Sequence, residues 1–176
     1  MLQAVARRKV RLFSAIDEGQ QRREDAITAA VFGPLAYMLA DQAWLALRSL
    51  LKGSHPEPRV RPDLAPDRVE IAFWPRRASA DRARFVEPDL FVAASVKGEP
   101  VLDLLVEVKW DAPLGEGQLA AQWRSVPPEE RSRTLHVILV RHLARAISSI
   151  ELERAEFTDQ EGQQWDTRRL LLSWHQ

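Results

Sequence analysis

The stretch from Glu87 to Trp110, EPDLFVAASVKGEPVLDLLVEVKW, leaves the chain little choice of local structure. Its second half sorts by parity. Leu102, Leu104, Val106, Val108 and Trp110 fall on one face of an extended strand, and Val101, Asp103, Leu105, Glu107 and Lys109 on the other. The first face is wholly apolar and has to be packed on something. The second sets a carboxylate and an ammonium side by side near the end of a strand that otherwise reads as central. Charges in such a place are costly unless they pair with each other, with a metal or with a substrate. A Pro-Asp pair, Pro88-Asp89, lies on the strand before, and the Glu107-Val108-Lys109 triplet follows Asp89 by eighteen positions.

The other elements follow from periodicity and turn residues. Residues 20–51 carry a helical pattern broken or bent at Gly33-Pro34, with Ile27, Val31, Leu35 and Met38 as its inward stripe, joined by Leu45 and by Leu47 or Leu51. A proline-rich loop over 52–66 precedes a strand at 68–74, and a basic connection, Pro75 to Arg84, leads into strands at 85–95 and 101–110. Gly98 to Pro100 supplies the turn between those two. A helix within 112–126, a strand at 134–140, a helix at 143–156 and a last strand at 169–174 complete the chain. Three strands joined by turns predict an antiparallel meander, and the strand-helix-strand step after it predicts a parallel addition. The expectation is an α/β fold with a central mixed sheet flanked by helices. At 176 residues it forms one domain, with 1–18 as a basic lead-in and 19–176 as the core.

Composition narrows the chemistry. The absence of cysteine removes disulfides, thiolate metal sites and thiol nucleophiles together. The 25 basic and 25 acidic side chains cancel, so nucleic-acid binding would need a local patch. Two basic segments offer one: Arg7 to Arg11, and the connection holding Arg76, Arg77, Arg82 and Arg84; each is either a nucleic-acid contact or a solvated stretch. No apolar run reaches membrane-spanning length and the N-terminus has no secretory core, which predicts a cytoplasmic protein with no membrane partner. The four histidines are scattered, without the i, i+4 spacing of a zinc helix, and His136 reads as a satisfied core or border residue. Trp74 and Trp110 could stack on a base, though packing is the commoner use.

Pro88-Asp89 followed by Glu107-x-Lys109 on the next strand resembles the PD-(D/E)XK nuclease superfamily, the restriction-endonuclease-like fold, in residue type, order and spacing. The helix, three strands, helix, strand order agrees with the αβββαβ core of that fold. The resemblance implies a Mg²⁺- or Mn²⁺-dependent nuclease acting on DNA more than RNA, in bacterial defence, restriction or repair. It implies Asp89 and Glu107 as metal ligands, the Val108 carbonyl as a third, and Lys109 as the group that orients the attacking water or meets charge on the phosphate. Glu24 is the match to an acidic residue on the first helix that joins the metal site in relatives; otherwise it is a helix-start glutamate favoured by the macrodipole, with Asp25 as companion. Gln118 and Gln122 match glutamines that reach the active site from the helix after the lysine strand; otherwise they border an amphipathic helix. For Glu107 and Lys109 the plain alternative is a structural ion pair. At the level of the molecule the alternatives are a nuclease-fold binding or assembly subunit that is inactive alone or cleaves only with a partner, and a non-hydrolytic metal-binding domain; the resemblance also admits a homodimer or a protein partner.

Overall fold

In the computed structural model, which describes residues 20–52, 54, 63–79, 85–110 and 113–174, the parity of the central strand becomes the division between two layers. The strands are β1 (Arg68–Phe73), β2 (Leu90–Val96), β3 (Glu99–Lys109), β4 (Thr134–Val140) and β5 (Arg169–Ser173). They form a five-stranded sheet in the order β1-β2-β3-β4-β5. The first three make an antiparallel meander, whereas β3-β4 and β4-β5 are parallel, so the sheet is mixed as expected. The helices are α1 (Gln20–Phe32), α2 (Ala40–Leu51), α3 (Gln118–Arg124), α4 (Leu143–Ala155) and α5 (Asp159–Asp166), with a short 3₁₀ helix, Gly33–Tyr37, between the first two.

The apolar face of β3 is the larger core. Leu102, Leu104, Val106 and Val108 join Leu90 and Val92 of β2 and Leu135, Val137 and Leu139 of β4, and are covered by Phe32 of α1 and by Trp44, Leu47 and Leu51 of α2. The other face is covered by α3, α4 and α5, where Leu119, Trp123, Ile150 and Trp165 pack on Ile138 and Val140. No helix among the described residues is long and apolar enough to cross a membrane.

Several boundaries differ from the sequence expectation, each for a local reason. The β2-β3 turn is Lys97-Gly98, one residue earlier than expected. Both have positive φ, 53° and 83°, and Val96 pairs with Glu99, the form of a two-residue hairpin whose twist matches its strands. Pro100 then lies inside β3, opposite the register shift at Ala94/Ser95, where a ladder tolerates a missing N–H. β2 begins at Leu90 rather than Phe85, because Val86 pairs back on Arg77. The helix expected within 112–126 occupies only Gln118–Arg124, behind Gly117 at φ 62°. α5 was not anticipated: DQEGQQWD is polar apart from Trp165, and Gly162 interrupts it. Its one legible signal is Thr158, whose side chain accepts from the Glu161 N–H as an N-cap.

The stripe expected on the first helices is corrected. Val31, Met38 and Leu45 are 47%, 44% and 64% exposed, while Leu47 and Leu51 are buried. The inward row of α1 is Glu24, Thr28 and Phe32, with Asp25 and Ala29 beside it. Val31 lies off that row within α1; the helix ends at Phe32, and the tighter 3₁₀ turn at Gly33-Pro34 breaks the phase that would have carried Met38 inward.

Candidate active site at the end of β3

Two carboxylates and an ammonium are buried at the C-terminal end of β3. Asp89, Glu107 and Lys109 are 4%, 2% and 7% exposed. Glu107 and Lys109 project from the face that α3 covers, as their parity requires. Asp103, four residues earlier on that face, belongs elsewhere: its Oδ2 pairs with Arg133 Nε at 2.8 Å.

Asp89 stands at the entrance to β2 and is pinned twice. Its carbonyl accepts from the Trp74 N–H at 3.0 Å, and its Oδ2 accepts from the Val108 N–H at 2.7 Å. Trp74 meets that carbonyl from a left-handed backbone conformation, φ 47°, which is an outlier for a bulky side chain. A residue in an extended strand sends its N–H and C=O to the same edge. The Val108 carbonyl therefore leaves β3 on the side where Asp89 lies.

Glu107 accepts from three donors. Its Oε1 receives Lys109 Nζ at 3.0 Å and Gln118 Nε2 at 2.6 Å, and its Oε2 receives Gln122 Nε2 at 2.6 Å. A carboxylate offers about four lone-pair positions, so one, on Oε2, remains for a further partner. Gln118 is held in turn by the Gly115 N–H, which donates to its Oε1 at 2.9 Å. Glu24 enters from α1, around the end of the sheet. Its Oε1 accepts from the Trp110 N–H at 2.6 Å, and its Oε2 lies 3.7 Å from Lys109 Nζ. The structure thus brings all six candidate side chains, Asp89, Glu107, Lys109, Glu24, Gln118 and Gln122, to one end of β3.

The site concentrates buried charge. Glu24, Asp25, Asp89 and Glu107 are all buried here, with the Lys109 ammonium paired to Glu107 and Glu24. Burial, and then repulsion from Glu107, push the Asp89 carboxyl well above its ordinary range, with Asp25 adding to the repulsion and the Val108 N–H opposing it. Burial also raises Glu107, against Lys109 and the glutamine amides that favour its anion. For Lys109 burial pulls down, but the surrounding carboxylates, Glu107 first, outweigh it and the net shift is upward. A cluster rich in carboxylates, which are hard oxygen donors, suits a divalent cation. Among the described residues no three His, Cys, Asp or Glu side chains are grouped as a ready cage. Two carboxylates and a main-chain carbonyl are nonetheless the kind of donor set on which Mg²⁺ keeps several waters.

Other features of the site lie outside the sequence-based candidates. Asp25 was seen only as a companion of Glu24. Glu153 of α4 was missed: its Oε2 accepts from the Leu119 and Ala120 N–H groups at 2.8 and 3.3 Å, capping the helix that carries both glutamines. His136 is a buried core residue, as expected, yet its Nε2 lies 3.2 Å from Gln122 Oε1. No local signal marks either contact, since they join elements distant in the chain.

Trp74, Trp110 and Arg77 make contacts within the fold, whereas Arg76 is exposed, over the Phe85 ring at 5.3 Å. Trp74 is buried, and Trp110 packs edge-on against Trp174 with centroids 5.7 Å apart. Arg77 lies over the Phe91 ring at 4.5 Å and donates to Ser125 Oγ at 3.2 Å. Arg82, Arg84 and the basic segment 7–11 lie outside the described residues. In comparisons with known proteins, no family model, curated protein or solved structure matches this chain.

Proposed function

We propose that this chain is a Mg²⁺- or Mn²⁺-dependent phosphodiester hydrolase of the PD-(D/E)XK type, acting on nucleic acid, DNA in preference to RNA, in the cytoplasm. The observation that carries the proposal is the convergence of Asp89, Glu107 and Lys109, at the ends of two adjacent strands, into one buried cluster. The order αβββαβ, with a meander followed by a parallel strand, supports the restriction-endonuclease-like reading of the sheet.

Asp89, Glu107 and the Val108 carbonyl would hold the ion, and Glu24 would hold a water or a second ion beside it. When bound, a divalent ion lowers the pKa of water and polarises phosphoryl oxygens. Lys109 carries its positive charge through neutral pH, because the neighbouring carboxylates hold its ammonium protonated. It can orient a water by donation, or meet negative charge developing on a phosphate. Gln118 and Gln122 keep Glu107 turned toward Lys109 and favour its anion over its acid.

The test is cleavage of supercoiled plasmid, linear duplex, single-stranded DNA and RNA with Mg²⁺, Mn²⁺ or EDTA, beside Asp89→Ala and Lys109→Ala variants shown to be folded. Metal-dependent cleavage lost in both variants, with metal binding kept in Lys109→Ala, is the expected result. Cleavage that survives EDTA or both substitutions would place the chemistry elsewhere. One observation favours a second reading. Tyr37, Leu39 and Leu45 expose large apolar side chains, which suits a subunit that cleaves only when docked to a partner or to its own copy. Inactivity of the chain alone, with Mn²⁺ binding retained, selects that reading.

A further inference from the structure

Behind Gln122 lies a chain of buried polar contacts that leads away from the carboxylates. Gln122 Oε1 lies 3.2 Å from His136 Nε2, and Trp165 Nε1 donates to His136 Nδ1 at 2.9 Å. Each orientation in this chain is forced by chemistry. The indole N–H can only donate, so His136 Nδ1 must accept. A neutral ring that accepts at Nδ1 carries its proton on Nε2, and Nε2–H then donates to Gln122 Oε1. The ring is neutral, since burial lowers its pKa to about 3. At the far end an ionised Glu107 can only accept, so Gln122 must present Nε2 to it, as the 2.6 Å contact requires.

The imidazole has no freedom to turn. It stacks on Trp123 at 6.3 Å with the rings 8° apart, and Trp165 meets it edge-on at 6.1 Å. Gln122, His136 and Trp165 come from α3, β4 and α5, and all three are fully buried. Plain packing would be met by an apolar side chain at position 136, without burying a ring whose two nitrogens both need partners.

We propose that His136, fixed by Trp165, is a positioning residue for the site: its Nε2–H locks the Gln122 amide in the one orientation that donates to Glu107. The relay deepens the hydrolase reading, and rests on it only for its effect on metal binding and cleavage. A ligating carboxylate whose hydrogen-bond partners are themselves held is oriented before the ion arrives, and partners of this kind are worth about 10–100-fold in metal affinity or activity.

The test begins with the wild-type chain and needs no metal. Long-range ¹H–¹⁵N spectra of ¹⁵N-histidine protein should show His136 neutral with its proton on Nε2, and the Gln122 side-chain amide should exchange slowly. In His136→Phe, which keeps the ring stack, the fold should persist and the Gln122 amide should lose its protection. Should that variant not fold, Trp165→Phe keeps an aromatic ring, though a smaller one, while removing the indole N–H, and should turn the single His136 tautomer into a mixture. Mn²⁺ affinity should fall about 10–100-fold in His136→Phe and by a similar factor in Gln122→Leu, and the double variant should be no worse than either single one. A proton on Nδ1, or a Gln122 amide indifferent to His136→Phe, overturns the relay. The expected tautomer and amide change in a chain that binds no Mn²⁺ and cleaves nothing uphold the relay and overturn the hydrolase reading.

Discussion

At the scale of single residues, the site is a place where the fold accepts buried charge. Lys109 pairs with both Glu24 and Glu107, and all three are buried. Removing one partner of a buried network leaves the others uncompensated. Lys109→Ala should therefore destabilise the fold by about 3–5 kcal/mol in urea denaturation at neutral pH. A loss below about 1 kcal/mol would mean that solvent, not Lys109, balances those carboxylates. Asp89 behaves in the opposite sense. Its folded pKa is raised above the ordinary 3.8, so its contribution to stability is whole below that value and is lost as pH rises through the folded value. Asp89→Asn, which can still accept from Val108, should then raise Tm at pH 8 and leave it unchanged near pH 3.5. A lower Tm at pH 8 would show that the carboxylate stabilises the fold as an anion. Asp89, Glu107 and Lys109 were legible because strand parity and a short motif act over few residues. Asp25, Glu153 and His136 were not, because their roles are set by contacts that no local pattern encodes.

At the scale of elements, α3 is the part that turns a charged strand end into a site. It is short, begins at a left-handed glycine, and has no cap of its own. Its first N–H groups are capped from α4 by Glu153. Glu153→Ala should cost about 1–2 kcal/mol in urea denaturation, at the upper end of capping effects because the carboxylate is buried. By loosening Gln118 and Gln122, it should also lower cleavage more than an exposed control such as Glu151→Ala. Equal activity in the two variants would detach the cap from the site. Sequence patterning found every strand, since apolar runs bounded by turns are local. It misjudged α1 because a helix that points Glu24 and Thr28 inward does not look amphipathic in the usual sense, and it passed over α5 because one tryptophan anchors a polar segment.

At the scale of the molecule, the mixed sheet sits between two helical layers, and the candidate site lies where both layers reach the same strand end: Glu24 from one side, Gln118 and Gln122 from the other. A cation bound there would relieve repulsion present only in the folded chain, and so would favour folding. Mg²⁺ or Mn²⁺ at a hundred times its dissociation constant should stabilise by about 2.7 kcal/mol. For a chain of this size that is a rise in Tm of about 5–11 °C. Asp89→Asn should blunt the rise, and an equal rise in wild type and variant would place the ion elsewhere. The meander and the parallel addition were legible because the first three strands follow one another with no helix between them and one helix joins β3 to β4; the step from β4 to β5 crosses two helices, one of which the pattern did not show. The joining of two layers at one strand end was implied only by the resemblance, through Glu24 and the two glutamines, since no local pattern encodes a helix packed from the far side.

Because the strands lie side by side in the order they occur in the sequence, the sheet can be laid down as the chain is synthesised, with no strand waiting for a late insertion between earlier ones. The carboxylates of Asp89 and Glu107 are on neighbouring strands once β3 is complete. The amides that clamp Glu107 arrive only with α3, the imidazole behind them with β4, and the indole behind that with α5. The clamp is thus closed from the back, by elements that emerge after the strands bearing the carboxylates, and until then the nascent chain holds its charged groups together without the glutamine amides that orient Glu107.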